Sequence, residues 1–237
     1  FMQLGLSASY TYLLNEKNLL TIGAQVSGAN RSFTEDQLEW DNQWNGVIFD
    51  PQRTSLEDFD RSTLFYLDLG AGINYRWQKS ERTNINIGSG FYHFTTPDND
   101  FYEDEDGFQL PLRYSPHINA SFRLVNSLDL LVNGLAQVQG EAKEVVSSAY
   151  LRFYLNQKPG KTFKVDVGAI GRWSEKWDAF APAVGFWVNN WHAELSYDIN
   201  LSDFTDATNR YGGPEITLQY FITTVKPLNS FKTCPIF

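Results

Sequence analysis

A strict alternation of apolar and polar side chains runs along most of the chain. The clearest run is 64–77, where one face carries Phe65, Leu67, Leu69, Ala71, Ile73, Tyr75 and Trp77. A period of two residues is typical of a β-strand, because successive side chains point to opposite faces. Helical spacing is nearly absent from the sequence. The pattern therefore predicts an all-β protein.

Eleven runs show this alternation. They lie near residues 2–13, 19–28, 64–77, 83–95, 112–125, 128–139, 146–155, 162–173, 178–188, 191–200 and 214–224. Most are longer than the usual strand of about 5–6 residues and match the roughly 9–11 residues with which tilted strands cross a bilayer. The run lengths therefore favour strands that span a membrane.

Charged residues are confined to one face of these runs. The polar face carries Asp68, Arg76, Arg123, Asp129, Arg152, Lys164, Asp166, Arg172, Glu194, Asp198 and Glu215. Lys or Arg facing the middle of a bilayer costs about 2–4 kcal/mol, so contact with lipid would remove charges from the apolar face. A soluble β-sandwich also alternates, with its apolar faces packed against each other, and is the structural alternative.

Two further features favour the membrane. Aromatic residues gather at one end of the apolar faces: Tyr10, Tyr12, Tyr75, Trp77, Phe153, Phe163, Phe186, Trp191 and Tyr220. Such rings favour the membrane interface. The predicted connections at that end are short, and those at the other end, headed by 29–63, are mostly longer, although 174–177 breaks the trend. Outer-membrane barrels combine short periplasmic turns with longer external loops.

These observations predict a transmembrane antiparallel up-and-down β-barrel over residues 1–225, followed by a periplasmic tail at 226–237. With eleven strands and a descending last strand, Phe1 would lie outside the cell. Bacterial single-chain barrels have even strand numbers and both ends inside. We therefore expect an odd number of strands upstream, and three would complete a barrel of about fourteen. Pro182, on the apolar face in mid-strand, predicts a bulge or kink because it lacks an N–H.

Composition and motifs exclude several functions. A net charge of -9 and a pI near 4.8 exclude nucleic acid as a partner, since its recognition requires clustered Lys and Arg. The single cysteine, Cys234, allows neither an internal disulfide nor a cysteine zinc site. The three histidines are scattered, and no nucleophile elbow, phosphate loop or His-Glu-x-x-His motif occurs. We therefore predict no catalytic residue, bound metal or cofactor, so the chain is not expected to be an enzyme.

The acidic segment 98–107 is the one place where a metal is an alternative. Its spacing does not match the EF-hand loop, and an acidic run of this kind is more often a solvated external loop. Phe101 and Tyr102 within it are candidates for contact with a protein partner. We expect both rings to be exposed, and calcium binding is the competing interpretation.

The long connection 29–63 supplies further candidates for partner binding: Trp40, Trp44 and Phe49. The connection is too apolar for a disordered segment, so it is either an ordered lid or a binding surface. Four glycines of the polar face, Gly70, Gly72, Gly88 and Gly90, complete the candidate set. Their bare backbone either admits another chain segment or relieves barrel curvature.

The polar face also carries bulky side chains: Leu131, Leu135, Tyr150, Tyr154, Ile170, Trp187 and Phe221. Open porins line their channel with polar groups. We therefore expect the barrel interior to be at least partly filled.

Six short motifs of the sequence resemble those of a known family. They are Trp177-Asp178-Ala179, LSYDINLS at 195–202, GPEI at 213–216, CPIF at 234–237, LDLGAG at 67–72 and LPLRY at 110–114. In this order they resemble the PorP/SprF family of outer-membrane proteins, which is associated with type IX secretion in Bacteroidetes. The resemblance covers nearly the whole chain.

The resemblance implies that a signal peptide and further strands precede this sequence. It also implies that the protein lies in the bacterial outer membrane and takes part in secreting or retaining surface proteins, including gliding adhesins. The family brings no catalytic residues. We therefore predict a non-enzymatic barrel whose partners are membrane lipid, a secreted surface protein at the outer mouth and secretion-system subunits in outer membrane and periplasm, the latter reached through the tail. The main alternative is an outer-membrane channel or a transporter of hydrophobic substrates.

Overall fold

The computed structural model describes residues 1–34, 38–54, 59–102, 107–158, 161–202 and 212–222. Regular structure in these ranges is β-strand, apart from one turn of 3-10 helix at Asp41–Gln43. No helix in the described part is long and apolar enough to cross a membrane. The predicted periplasmic tail, with Cys234, lies outside the described residues.

The described strands form one antiparallel sheet in which neighbours along the chain are neighbours in space. Their bounds are β1 (Met2–Asn15), β2 (Asn18–Ser32), β3 (Thr63–Ser80), β4 (Thr83–Tyr92), β5 (Arg113–Val125), β6 (Leu128–Gln139), β7 (Ala142–Lys158), β8 (Lys161–Trp173), β9 (Trp177–Val188), β10 (Trp191–Tyr197), β11 (Ile199–Asn200) and β12 (Pro214–Tyr220). The order runs from β1 to β10 and then to β12, with the two-residue β11 paired to β9. The predicted up-and-down topology is confirmed, and each of the eleven predicted runs contains a strand, with two strands in the run 191–200.

The short connections are built by side chains that suit tight turns. Between β1 and β2, the carboxamide oxygen of Asn15 accepts hydrogen bonds from the Lys17 N–H at 3.0 Å and from the Asn18 side chain at 2.7 Å. Between β9 and β10, Asn189 adopts a φ of 53°, a conformation that asparagine tolerates better than most residues.

The prediction of long connections at the opposite end is partly wrong. Residues 33–62 and 93–112 are long, but the connection predicted at 140–145 is a two-residue turn between Gln139 and Ala142. Gly140 has a φ of 58°, which permits the tight turn and lets β7 begin earlier than the hydrophobic pattern indicates. Alternation therefore located the strand but not its start.

The chain divides into two compact units. The first comprises residues 1–120 and 133–146, and the second comprises residues 121–132 and 147–237. In the first unit, β2 and β3 pair without interruption from Asn18↔Trp77 to Ser32↔Thr63. In the second unit, β9 pairs with β8 on one side and with β10 on the other.

The exposure of the two faces is the reverse of that in a soluble protein. In β3 of the first unit, Phe65 is 65% exposed, whereas the neighbouring Asp68 is 6% exposed. The second unit repeats this arrangement, because Phe186 and Leu195 are exposed while Asp166 and Ser196 are buried. A soluble sandwich buries its apolar faces. Among the described residues the apolar rows stay uncovered, as contact with hydrocarbon requires.

Aromatic residues align at one end of the apolar face in each unit. In the first unit, strand pairing places Tyr12 opposite Leu20, and Leu20 opposite Tyr75. In the second unit, Trp191 pairs with Tyr220, and their ring centroids lie 4.7 Å apart. The predicted aromatic band is therefore confirmed within each unit.

The bulge predicted at Pro182 is absent, but the pairing of β9 with β10 ends beside this residue. Pairing with β9 is present at Ser196↔Ala183 and resumes at Ile199↔Phe180 in the same register, so no residue is inserted. Proline offers no N–H to the intervening position. On the other side, the Asp198 N–H donates to the Gly213 carbonyl oxygen at 2.9 Å, which continues the register of β10 with β12. The single predicted run 191–200 is consequently two strands, β10 and β11.

Substitutions on the two faces should differ in cost. Ile73→Arg, on the exposed apolar face of β3, is expected to lower the free energy of unfolding in lipid vesicles by about 2–4 kcal/mol, because the charge would face hydrocarbon. Gln25→Arg, on the polar face of β2, should change it by about 0.5 kcal/mol or less. Urea titration of the refolded chain in vesicles measures both. Equal costs for the two variants would contradict lipid contact at the apolar face.

Candidate functional site

Two long connections of the first unit are tied together by arginines. Arg61 donates from its backbone N–H to the Phe101 carbonyl oxygen at 3.3 Å and from Nε to the Asp100 carbonyl oxygen at 2.9 Å. Its guanidinium also pairs with the Asp98 carboxylate. Arg31 donates to the side chain of Asn99. The connections 33–62 and 93–112 are therefore one linked structure.

An aromatic loop cluster lies where these connections meet. Its members are Phe33, Trp40, Phe59, Phe101 and Tyr102. Phe33 lies 4.8 Å from both Phe59 and Phe101, and Phe59 lies 5.1 Å from Tyr102 and 5.8 Å from Trp40, between ring centroids. The structure thus brings together three of the predicted site residues: Trp40, Phe101 and Tyr102.

The rings of Phe101 and Tyr102 are half-buried, not exposed as expected, because they pack against Phe33 and Phe59. Sequence reasoning did not single out Phe59, which is flanked by acidic residues and belongs to no periodic pattern. The cluster makes this part of the connection an ordered, self-packed structure.

A second feature of the same connection is the tip hairpin, residues 44–49, in which Trp44 and Phe49 form an antiparallel bridge. Its turn is shaped by Asn45, whose side-chain oxygen accepts hydrogen bonds from the N–H groups of Val47 and Ile48 at 3.0 Å each. Gly46 has a φ of 99°, which this turn requires and glycine permits.

The base of the tip hairpin is fixed by Gln43, a buried side chain. Its oxygen accepts the Trp40 N–H at 3.0 Å, and its nitrogen donates to the Arg53 carbonyl oxygen at 3.0 Å. Arg53 in turn donates to the Trp44 carbonyl oxygen at 3.1 Å. The hairpin is therefore an ordered projection attached to the aromatic loop cluster through Trp40.

The tip hairpin presents apolar side chains outward. Trp44 is 54% exposed, Val47 78% and Ile48 60%, whereas the predicted Phe49 is half-buried. Large apolar side chains that stay exposed together on an ordered turn indicate a contact surface. Of the predicted residues, Trp44 belongs to this surface. Val47 and Ile48 were part of the apolar content of the connection, and only the turn geometry shows that they accompany Trp44.

The two carboxylates of the acidic segment that the structure describes already have partners within the chain. Asp98 pairs with Arg61, and Asp100 accepts hydrogen bonds from the N–H groups of Phe108 and Tyr102 at 3.2 Å each. These two N–H donors, first that of Phe108, lower the pKa of the Asp100 carboxyl below its ordinary value. The described residues contain no group of three possible metal ligands. Residues 103–106, part of the calcium alternative, lie outside the described ranges.

Three glycines of the polar face lie in one transverse row of the first unit. Gly23 pairs with Gly72, and Gly72 with Gly90. Side chains of this chain approach some of the predicted glycines closely. The Tyr92 hydroxyl lies 2.9 Å from the position that a Cβ of Gly90 would occupy, and His117 Cε1 lies 2.7 Å from the equivalent position at Gly88.

Tyr92 also lies close to Gly70, 3.2 Å from its Cβ position, so three of the four predicted glycines face side chains of the same chain. Gly72 faces only backbone, with the Ser89 carbonyl oxygen at 3.3 Å and the Gly90 Cα at 3.9 Å. Side chains therefore do approach the bare backbone of Gly70, Gly88 and Gly90 closely. They are those of Tyr92 and His117. Sequence reasoning did not identify these two side chains, because the contacts of Tyr92 with Gly70 and of His117 with Gly88 join different strands.

The polar face of the second unit is filled by a charged and aromatic network. Arg152 donates two hydrogen bonds to the Asp166 carboxylate, each at 2.8 Å, and the Trp187 indole donates to the same carboxylate at 2.9 Å. The Tyr154 hydroxyl donates to Asp129 at 2.7 Å. The bulky side chains of Tyr154 and Trp187 therefore lie on the polar face as predicted. Hydrogen bonds to the buried carboxylates of Asp129 and Asp166 hold them there.

Removing one carboxylate from this network should be costly. Asp166 is 4% exposed, so Asp166→Asn leaves the Arg152 guanidinium shielded and without its charge partner. We expect the free energy of unfolding to fall by about 3–5 kcal/mol. Asp178→Asn is the matched control, since its pair with Arg172 is partly exposed and should contribute about 1 kcal/mol or less. Urea titration in detergent micelles tests both, and similar losses would contradict the assignment.

The hydrogen bonds to Asp100 make the order of its loop dependent on pH. A lowered pKa means that the charge contributes fully above 3.8, the ordinary value, and that this contribution is lost as pH falls through the lower pKa of the folded loop. Asp100→Asn should therefore speed amide exchange at Phe108 and Tyr102 at neutral pH, and the difference from the unmodified chain should vanish in acid. Asp41→Asn serves as control. A difference that persists in acid would disprove the charge effect.

Comparison with known proteins agrees with this structure. A family model for the type IX secretion system membrane protein PorP/SprF matches residues 2–220, which includes every described strand. No individual curated protein matches the chain. Because the matched region takes in almost the whole sequence, this chain belongs to the PorP/SprF family of type IX secretion system membrane proteins.

Proposed function

We propose that this protein is a non-enzymatic barrel of the bacterial outer membrane that binds or anchors secreted surface proteins through its tip hairpin. Membership of the family makes it a membrane component of the type IX secretion system, which works with other subunits of that system. The observation that carries the finer proposal is the ordered turn that exposes Trp44, Val47 and Ile48.

The side chains of the tip hairpin suit protein recognition. Tryptophan is among the residues that most often dominate the binding energy of protein interfaces, above all when apolar neighbours exclude water around it. The turn is already ordered by Asn45 and Gln43, so binding would not have to order it. Preorganisation of this kind increases affinity because less conformational entropy is lost on binding.

The membrane itself is the second partner in this proposal. The exposed apolar rows of both units would contact the hydrocarbon of the outer membrane, and their aromatic ends would lie at its interface. With the aromatic band at the periplasmic end of the strands, the long connections 33–62 and 93–112 lie at the opposite, external end. The tip hairpin would then face outward from the cell, where secreted proteins are retained.

The filled polar face of the second unit supports a binding role over free diffusion. Trp187 lies beneath both Arg152 and Lys164, with the charged groups 4.9 Å and 5.5 Å from its ring centroid. A wide aqueous channel is lined by solvated polar groups instead. A contact with periplasmic subunits through residues 226–237 remains part of the proposal, and it rests on the sequence and the family alone.

Loss of the exposed side chains tests the proposal. The triple variant Trp44→Ser, Val47→Ser and Ile48→Ser should reduce recovery of co-isolated surface protein at least about tenfold, as expected when an interface hot spot is removed. Intact cells are labelled with a membrane-impermeant reagent, the native complex is isolated in mild detergent, and labelled partners are quantified. Leu38→Ser, an exposed apolar residue of the same connection outside the tip, is the matched control.

Two outcomes would overturn the proposal. One is equal recovery of labelled partner with the triple variant and the unmodified chain. The other is isolation of the unmodified barrel without any secreted protein or secretion subunit, together with a single-channel conductance of fixed size in planar bilayers. That combination would favour the channel.

A further inference from the structure

A concavity of about 440 Å³ lies on the polar face of the first unit. Its floor includes the row Ser9, Gly23, Gly72 and Gly90, which crosses β1 to β4. Its walls include Asn74, Tyr92, Arg113, Ser115, His117 and Gln137. We call this concavity the glycine trough. None of its lining residues belongs to the aromatic loop cluster or the tip hairpin.

Two polar atoms in the walls of the trough lack a hydrogen-bond partner among the described residues. They are Oγ of Ser115, a residue that is only 8% exposed, and Nε of Arg113. Both atoms are shielded from solvent and both can donate a hydrogen bond. Buried polar groups in native proteins nearly always have a hydrogen-bond partner. Two shielded donors beside one concavity therefore indicate that a ligand supplies the acceptor.

The charge of the lining indicates the nature of that partner. Although the protein carries a net charge of -9, none of the described residues that line the trough has a carboxylate, and Arg113 is the one permanently charged group among them. The Arg113 guanidinium lies 4.5 Å from the centroid of the Tyr92 ring, a contact that orients it. His117 and Asn74 are hydrogen-bonded to each other at 3.3 Å.

We propose that the glycine trough is a binding site for a carboxylate. A planar guanidinium matches the two oxygens of a carboxylate, and the Ser115 hydroxyl adds a further donor. A single arginine suits a single negative charge better than the double charge of a phosphate. The carboxylate could come from a small organic acid or from the C-terminus of a polypeptide, and the experiment distinguishes these sources.

The glycine floor explains how the rest of the ligand is accommodated. A Cβ at Gly72 would lie 3.3 Å from the Ser89 carbonyl oxygen, and one at Gly23 would lie 3.4 Å from the Ala8 carbonyl oxygen. Without side chains at these positions, a group attached to the carboxylate can lie directly on backbone. A larger residue at Gly23 would occupy the trough without a steric clash against its own sheet.

Binding is measured by titration calorimetry on the full chain in lipid nanodiscs. The probes are acetate, inorganic phosphate, the tripeptide acetyl-Gly-Ser-Gly with a free C-terminus, and the same tripeptide amidated. We expect at least one of the two carboxylates to bind, and to bind more tightly than phosphate and than the amide. If acetate binds as tightly as the tripeptide acid, the source is a small acid; tighter binding of the tripeptide acid identifies a polypeptide terminus.

Variants locate the site. Arg113→Gln should weaken carboxylate binding about tenfold to a hundredfold, the range expected for loss of charged hydrogen bonds, and Ser115→Ala should weaken it by less. Arg123→Gln removes one positive charge from the same strand outside the trough and should leave binding unchanged. Gly23→Val should block the trough, whereas Gly28→Val, on the apolar face of the same strand, should not. Heat-modifiable migration on gels verifies that each variant is folded.

The proposal is overturned if neither carboxylate binds, if the tripeptide amide or phosphate binds as tightly as the carboxylates, or if folded Arg113→Gln retains full affinity. Because the trough shares no residue with the tip hairpin, loss of surface-protein capture in the triple variant does not bear on this result. The two proposals therefore fail or stand separately.

Discussion

Hydrocarbon contains no water that could pair with a backbone N–H or carbonyl group, and this constraint underlies the rest of the structure. Each backbone group of a strand that crosses the bilayer must find its partner on a neighbouring strand. The uninterrupted pairing of β2 with β3 over the whole length of β2 meets that demand. Pro182 is the exception, because it has no backbone N–H to offer. The pairing of β9 with β10 stops there, and the pairing of β9 with β11 resumes in the same register.

The same constraint explains why so much of the fold could be predicted from the sequence. A strand between lipid and a polar interior must alternate at every position, so its period is visible without any knowledge of its neighbours. All eleven runs were found for this reason. Details that depend on one backbone angle were not visible, such as the positive φ of Gly140 that lets β7 begin at Ala142.

The candidate site was predictable in composition but not in arrangement. The aromatic content of the long connection indicated Trp40 and Trp44 as candidates, and the structure assigns them to different settings: Trp40 packs against Phe59, and Trp44 stays exposed beside Val47 and Ile48. Hydrogen bonds of Asn45 and Gln43 create that difference. Connections lack the period that reveals a strand, so side-chain partners there follow from three-dimensional packing alone.

The polar face is where a member of this architecture can vary most freely, because hydrocarbon restricts only the opposite face. The two units use that freedom differently. In the second unit, the carboxylates of Asp129 and Asp166 are matched by donors from Tyr154, Arg152 and Trp187, so the chain satisfies its own buried charge. In the first unit, the trough has donors at Arg113 and Ser115 and glycines for a floor, and its described lining has no carboxylate. A network that is complete in itself stabilises the fold, whereas an incomplete one favours an external ligand, and this contrast is the physical basis for placing a binding site in the trough.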